Sequence, residues 1–156
     1  LDIRLPAMQA DVFRMAYLLR HGGVWIDAAT RLHTSVEHWL PMGHPLVLLR
    51  RQQQTHPEVA TGFIYASAGH PLLARAWDRI SAYLLLRSGT KVYRHFGPGI
   101  LRDLMREQPQ LASMVQVLPE QDVSMSLSFG SSGCVLGPAQ HWSSRQTEES
   151  FYFSDG

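Results

Sequence analysis

Cysteine is nearly absent: Cys134 is the only one in 156 residues. A lone cysteine excludes an intrachain disulfide and every cysteine-based zinc site. It fits a reducing compartment, and cytoplasmic residence is the expectation. Long apolar runs are also missing. The longest, around Leu84 to Leu86, lies between Arg79 and Arg87 and falls far short of the ~18 residues that span a bilayer. No basic tract occurs, since Arg50-Arg51 is a pair and the net charge is +1. Binding to nucleic acid by phosphate neutralisation therefore has little support. The N-terminus lacks a charged-then-apolar signal pattern. It begins at Leu1 rather than methionine, so an upstream portion is expected. Eight histidines are present, but no HExxH spacing, and His33 and His38 stand five apart. A metal-dependent hydrolase is thus a weak third reading.

What remains is 45% hydrophobic and 17% charged, the balance of a globular chain. Its length predicts one domain over residues 1–156. Ala7 to His21 predicts a helix opened by Pro6, with Met8, Val12, Met15, Ala16 and Leu19 on its inner face. Gly22 is placed to end it in a left-handed conformation. Val24 to Asp27 then reads as a short strand. Ser35 predicts the cap of a short helix through Leu40. Pro45 to Leu49 and Thr61 to Ala66 read as strands, with a polar loop from Arg50 to Glu58 between them. Pro71 predicts a helix to about Leu86, and Pro98 another to about Gln108. Val115 to Leu118 and Val123 to Phe129 read as strands, and the stretch after Gly137 as loop. This order predicts an α/β fold with a mixed, partly parallel sheet flanked by helices.

In open α/β sheets ligands collect outside the carboxyl ends of strands, and Asp27 ends such a strand. Asp11 and Arg14 stand three apart, so they share one helix face. The short Gly22-Gly23 turn lets that face reach the same sheet edge as Asp27. Carboxylates can accept from sugar hydroxyls, and a guanidinium can fork onto a phosphate or orient a carboxylate. One or two carboxylates suffice for magnesium or manganese when phosphates complete the shell. A plainer reading stays open: Asp11 and Arg14 as a surface pair contributing about 0.2–0.5 kcal/mol, and Asp27 as a turn cap.

The run ADVFRMAYLLRHGGVWIDAATRL, Ala10 to Leu32, resembles the DXD-containing sugar-transferase family, which includes capsular polysaccharide synthesis proteins and initiating mannosyltransferases. The likeness rests on Asp11, Arg14, Gly22, Gly23, Trp25 and Asp27 in that order. TGFIYASAGHPLLARAW, FGPGILRDLM and AQHWSSR extend it along the chain, and the family often has an asparagine near the position of Gly62. The resemblance implies an A-type, Rossmann-like glycosyltransferase fold and a retaining transfer from a nucleoside-diphosphate sugar to a saccharide or other hydroxyl acceptor. It implies a divalent cation, manganese or magnesium, held by Asp27 and His141. Asp11, Arg14 and Asp27 are the implied catalytic residues. Gly22, Gly23, Trp142 and Ser143 are the implied donor-binding residues.

Two departures stand out. Ala29 occupies the usual second aspartate of the motif, and one lost charged contact costs about 1.5–3 kcal/mol. Family members also begin with a β-α-β portion that receives the nucleotide base, and almost nothing precedes the Asp11 helix here. Both favour the alternative of a degenerate or truncated domain that serves as a binding or assembly module. Missing leading strands would also expose a sheet edge and invite self-association.

Overall fold

The computed structural model describes residues 3–51, 58–89, 91–129 and 150–153. The elements are α1 Pro6–His21, β1 Gly23–Ile26, β2 Thr30–Leu32, β3 Leu46–Arg51, β4 Glu58–Ala66, α2 Pro71–Leu85, α3 Pro98–Glu107, a short α4 Pro109–Ala112, β5 Gln116–Pro119 and β6 Leu127–Phe129; the three main helices and five of the strands follow the predicted order, and β2 and α4 are additions to it. Each α-helix carries a proline at its first turn, where the missing N–H leaves no donor unsatisfied.

The central sheet has strand order β1-β4-β3-β5. β4 runs antiparallel to both neighbours, and β3 and β5 run parallel, so the sheet is mixed as expected. The apolar period of two splits it cleanly. Leu46, Leu48, Ile64 and Ala66 face α1, α2 and α3, which supply Met8, Met15, Leu72, Ile80 and Leu101 to the larger core. Val47, Leu49, Ala60 and Phe63 face the other way, onto a smaller core with Leu40, Val123 and Leu127. The three main helices therefore lie on one face. The second face is covered by the two-stranded β2-β6 sheet and two short 3₁₀ turns.

Several expectations change in detail. Ser35 starts only the 3₁₀ turn Val36–His38, because its hydroxyl bonds Glu37 instead of capping a backbone N–H. Strand 123–129 shrinks to β6, since residues Glu120–Val123 coil into 3₁₀. β3 and β4 reach into the expected Arg50–Glu58 loop. Their register shifts from Leu48↔Ile64 to Leu49↔Ala60, which leaves Thr61, Gly62 and Phe63 without a β3 partner in a bulge. His70 is buried and caps α2, its Nδ1 accepting from Leu72 N–H at 3.2 Å. A π-helical turn, Val92–Phe96, precedes α3 and was not foreseen.

Among the described residues β1 has one strand neighbour, β4, and forms a sheet edge. Val24 on that strand is 41% exposed, and Phe13 and Tyr17 on α1 are 54% and 47% exposed. No described helix is long and apolar enough to cross a membrane.

Candidate active site

The tight α1–β1 turn builds the site. Gly22 adopts φ +67°, and a Cβ there would lie 2.6 Å from Ala68 N and 2.8 Å from Ala66 O. Only glycine permits both the backbone angle and the close passage of the neighbouring chain. Gly23, at φ +101°, is exposed with open space beside it. The chain thus reverses within two residues, and the strand returns alongside the helix.

This reversal brings Asp11, Arg14 and Asp27 together. Arg14 is 4% exposed. Its Nη1 donates to Asp11 Oδ1 at 2.7 Å and its Nη2 to Asp27 Oδ1 at 2.7 Å. One guanidinium therefore clamps a helix carboxylate and a strand-end carboxylate. Arg14 Nε is buried and takes no acceptor among the described residues. Trp25 completes the clamp. Its Nε1 donates to Asp27 Oδ1 at 2.7 Å, and the Arg14 guanidinium lies 5.0 Å from its ring centroid. Trp25 is partly buried, packs against the larger core and fixes Asp27.

The backbone of Asp27 is fixed as well. Its N–H donates to Gly62 O at 2.9 Å, and its carbonyl accepts from Thr30 N–H at 2.8 Å. The β4 bulge delivers that Gly62 carbonyl, a use of bulges common beside active sites. A side chain at Gly62 would come within 2.9 Å of the Phe129 ring and 3.4 Å of Asp27 Oδ2. A larger residue at this position would require Phe129 to move.

The two carboxylates are alike in one respect. Each gives Oδ1 to Arg14, and among the described residues neither Oδ2 takes a hydrogen bond. Each Oδ2 instead faces a glycine. A Cβ on Gly97 would sit 2.9 Å from Asp11 Oδ2. Gly97 has an ordinary φ of −97°, so close approach rather than backbone angle calls for glycine there. The π turn positions it, and such turns concentrate at functional sites.

The electrostatics of the pair differ. Asp11 is buried, and its pKa is raised to about 6. Burial is the main cause; Arg14 opposes it, and the Asp27 charge adds to it. Asp27 reaches solvent, with a side chain 40% exposed. The arrangement offers two carboxylates, one buried and one open to solvent. Such a pair suits hydroxyl groups, and the exposed member suits a cation. Among the described residues no group of three histidine, cysteine, aspartate or glutamate side chains stands close enough to hold a metal. A cation would therefore need ligand oxygens or other residues to complete its shell. His141, Trp142 and Ser143 lie outside the described residues.

Sequence spacing put Asp11, Arg14 and Asp27 at one sheet edge, and the structure brings their side chains together. The spacing missed Trp25 Nε1, Gly62 and Gly97 as site residues. The Trp-x-Asp spacing is the signal for the first, because alternate strand residues share a face. Gly97 could have been found in the Gly-Pro-Gly sequence before α3.

Comparison with known proteins agrees with this architecture. The solved structure of PaToxG Glycosyltransferase superposes with a TM-score of 0.51 at 16% identity, over 93% of this chain and 52% of that one. At this identity the likeness is one of fold, and the chain spans about half the length of that structure. No curated protein matches the sequence. The family model described as capsular polysaccharide synthesis protein matches residues 5–126, a stretch that holds α1, the clamp and Gly97. With that match over most of its length, the chain belongs to the family of capsular polysaccharide synthesis proteins.

Proposed function

We propose that the chain is a glycosyltransferase domain that takes a sugar from a nucleoside-diphosphate donor and passes it to a saccharide or other hydroxyl acceptor. The observation that carries the reading is the Arg14 clamp, which holds Asp11 and Asp27 by one oxygen each and leaves the other oxygen of each without a hydrogen bond among the described residues. The family match and the glycosyltransferase-like fold support it.

In this reading Asp11 accepts from donor-sugar hydroxyls, and Gly97 leaves the space for them. Arg14 positions both carboxylates. Asp27 holds a magnesium or manganese ion with its outer oxygen, and His141 is the candidate ligand from the tail. When bound, that cation supplies positive charge to the diphosphate leaving group. Trp142 and Ser143 are assigned to the donor. Gly22 and Gly23 serve the donor by shaping the turn that aligns Asp27. No described side chain near the clamp is placed as a nucleophile, and the family resemblance points to retention of configuration. The acceptor proton then passes to the departing phosphate oxygen.

Calorimetric titration with nucleoside-diphosphate sugars tests this, with and without manganese, on the native chain and on Asp27→Ala. Heat of binding that requires both the ion and Asp27 supports the transferase. Flat titrations across donors, with the fold intact, put the binding-module reading in its place. Phosphate or ester release without any sugar donor favours a hydrolase.

A further inference from the structure

Away from the clamp, three arginines converge on one acid. Asp103, on α3, is buried at 8% exposure. Arg102 donates to its Oδ1 from Nε at 3.1 Å and from Nη2 at 3.0 Å. Arg94, from the π turn, brings Nε to 3.7 Å from Oδ2. Arg106 brings Nη2 to 3.8 Å from Oδ1. The last two are too distant to hydrogen-bond the carboxylate. Their side chains are 60% and 75% exposed. Among the described residues Arg94 and Arg106 share this one carboxylate, which leaves their pair at +1. Lys91, also exposed, precedes the same π turn. The nearest other acid on α3, Glu107, is paired with Arg79.

Like charges held this close repel one another, and the buried acid can neutralise only one of them. An anion with two or more oxygens would offset the rest, because guanidinium forks match phosphate and carboxylate geometry. The clamp has the opposite balance: two carboxylates and one guanidinium leave −1 when both acids are ionised. It therefore repels a bare anion and suits hydroxyl groups. The two features share one stretch of backbone. The turn that brings Gly97 against Asp11 Oδ2 also brings Gly99 against Arg94, where a Cβ would lie 2.8 Å from the Arg94 Cα.

We propose that Arg94 and Arg106, drawn together by Asp103, form a binding site for the phosphate or carboxylate group of a sugar ligand. Asp103 and Arg102 are positioning residues that hold the two exposed guanidiniums in register. The proposal takes from the transferase reading only that the anion belongs to a saccharide. The anion chemistry stands on the arginines alone.

Calorimetry at low salt without divalent cations tests it, with inorganic pyrophosphate, glucose 1-phosphate and a galacturonate oligosaccharide as probes. The expected result is saturable binding of at least one probe, weakened tenfold or more in an Arg94→Ala/Arg106→Ala double variant. Arg75→Ala should bind as the native chain does. Arg75 is an exposed control paired with Asp78. A preference for the phosphate probes assigns the site to a phosphorylated sugar; a preference for the galacturonate assigns it to an acidic glycan. Equal binding by the double variant and the native chain overturns the proposal, as does the absence of saturable binding by any probe. Both arginines are exposed, so the double variant should keep its fold, and circular dichroism checks this. Probe binding without any donor binding would sink the transferase reading and leave this one standing.

Discussion

Asp11 and Asp27 are sixteen residues apart in sequence, yet they share one guanidinium, with Arg14 bonded to an oxygen of each at 2.7 Å. The first acid comes from the second turn of a helix and the second from the end of the following strand. The fork of Arg14 fits both because the chain reverses at Gly22 and Gly23. A lysine offers a point charge without that fork.

Arg14 is therefore the residue whose loss should cost most. Arg14→Ala leaves two carboxylates facing each other, one of them buried. Breaking a buried pair from one side typically costs about 3–5 kcal/mol. Urea denaturation should show a loss of that order. Arg14→Lys should recover part of the stability and little of the donor binding. A stable Arg14→Ala variant with normal donor binding would remove the clamp from the account.

Asp11 should titrate near pH 6, because burial raises its pKa to about 6 from the usual 3.8. The folded state then holds the proton more tightly than the unfolded state. Its stabilising contribution is complete below about pH 4 and is lost as pH rises through 6. Sugar binding should follow the opposite course, strengthening as Asp11 ionises. Carbon-detected NMR of the Asp11 carboxyl gives the midpoint directly; a value near 4 would contradict the burial argument.

Gly97→Ala places a methyl against Asp11 Oδ2 at 2.9 Å. Real side-chain contacts are not that short, so Asp11 must shift or the ligand is excluded. The expected outcome is donor affinity reduced tenfold or more, with a modest loss of thermal stability. Gly43→Ala, where a Cβ meets nothing within 4 Å, is the control.

Trp25→Phe removes the donor to Asp27 and keeps the ring. A hydrogen bond to a charged group contributes about 1.5–3 kcal/mol. Cation-dependent binding should weaken by roughly tenfold or more while the fold survives.

The edge of β1, with Val24, Phe13 and Tyr17 exposed beside it, is expected to pair with a second copy of the chain. Sedimentation should show self-association that Val24→Lys reduces. A monomer at all concentrations would mean that the edge is covered in some other way.

The elements were legible where periodicity was strong. Met8, Val12 and Met15 on α1, and Leu72, Ala76 and Ile80 on α2, are buried as their spacing predicts. The short elements were not, for physical reasons. Ser35 was drawn to the Glu37 side chain instead of a helix N–H. β2 is three residues long and exists through its pairing with β6 across 95 positions of sequence, which no local pattern reveals. Asp11, Arg14 and Asp27 were legible because a helix face and a strand end, joined by two glycines, have little choice of position. Gly62 and Gly97 were harder to read, since each acts by what its missing side chain leaves open.

The most direct measurement is carbon-detected NMR of the aspartate carboxyl groups during a magnesium titration in the presence of nucleoside-diphosphate sugars. The account predicts that the Asp27 and Asp11 signals move together and saturate with at least one donor, while Asp78 does not move. Signals from both clamp residues that stay fixed at saturating magnesium, with every donor tried, would contradict it.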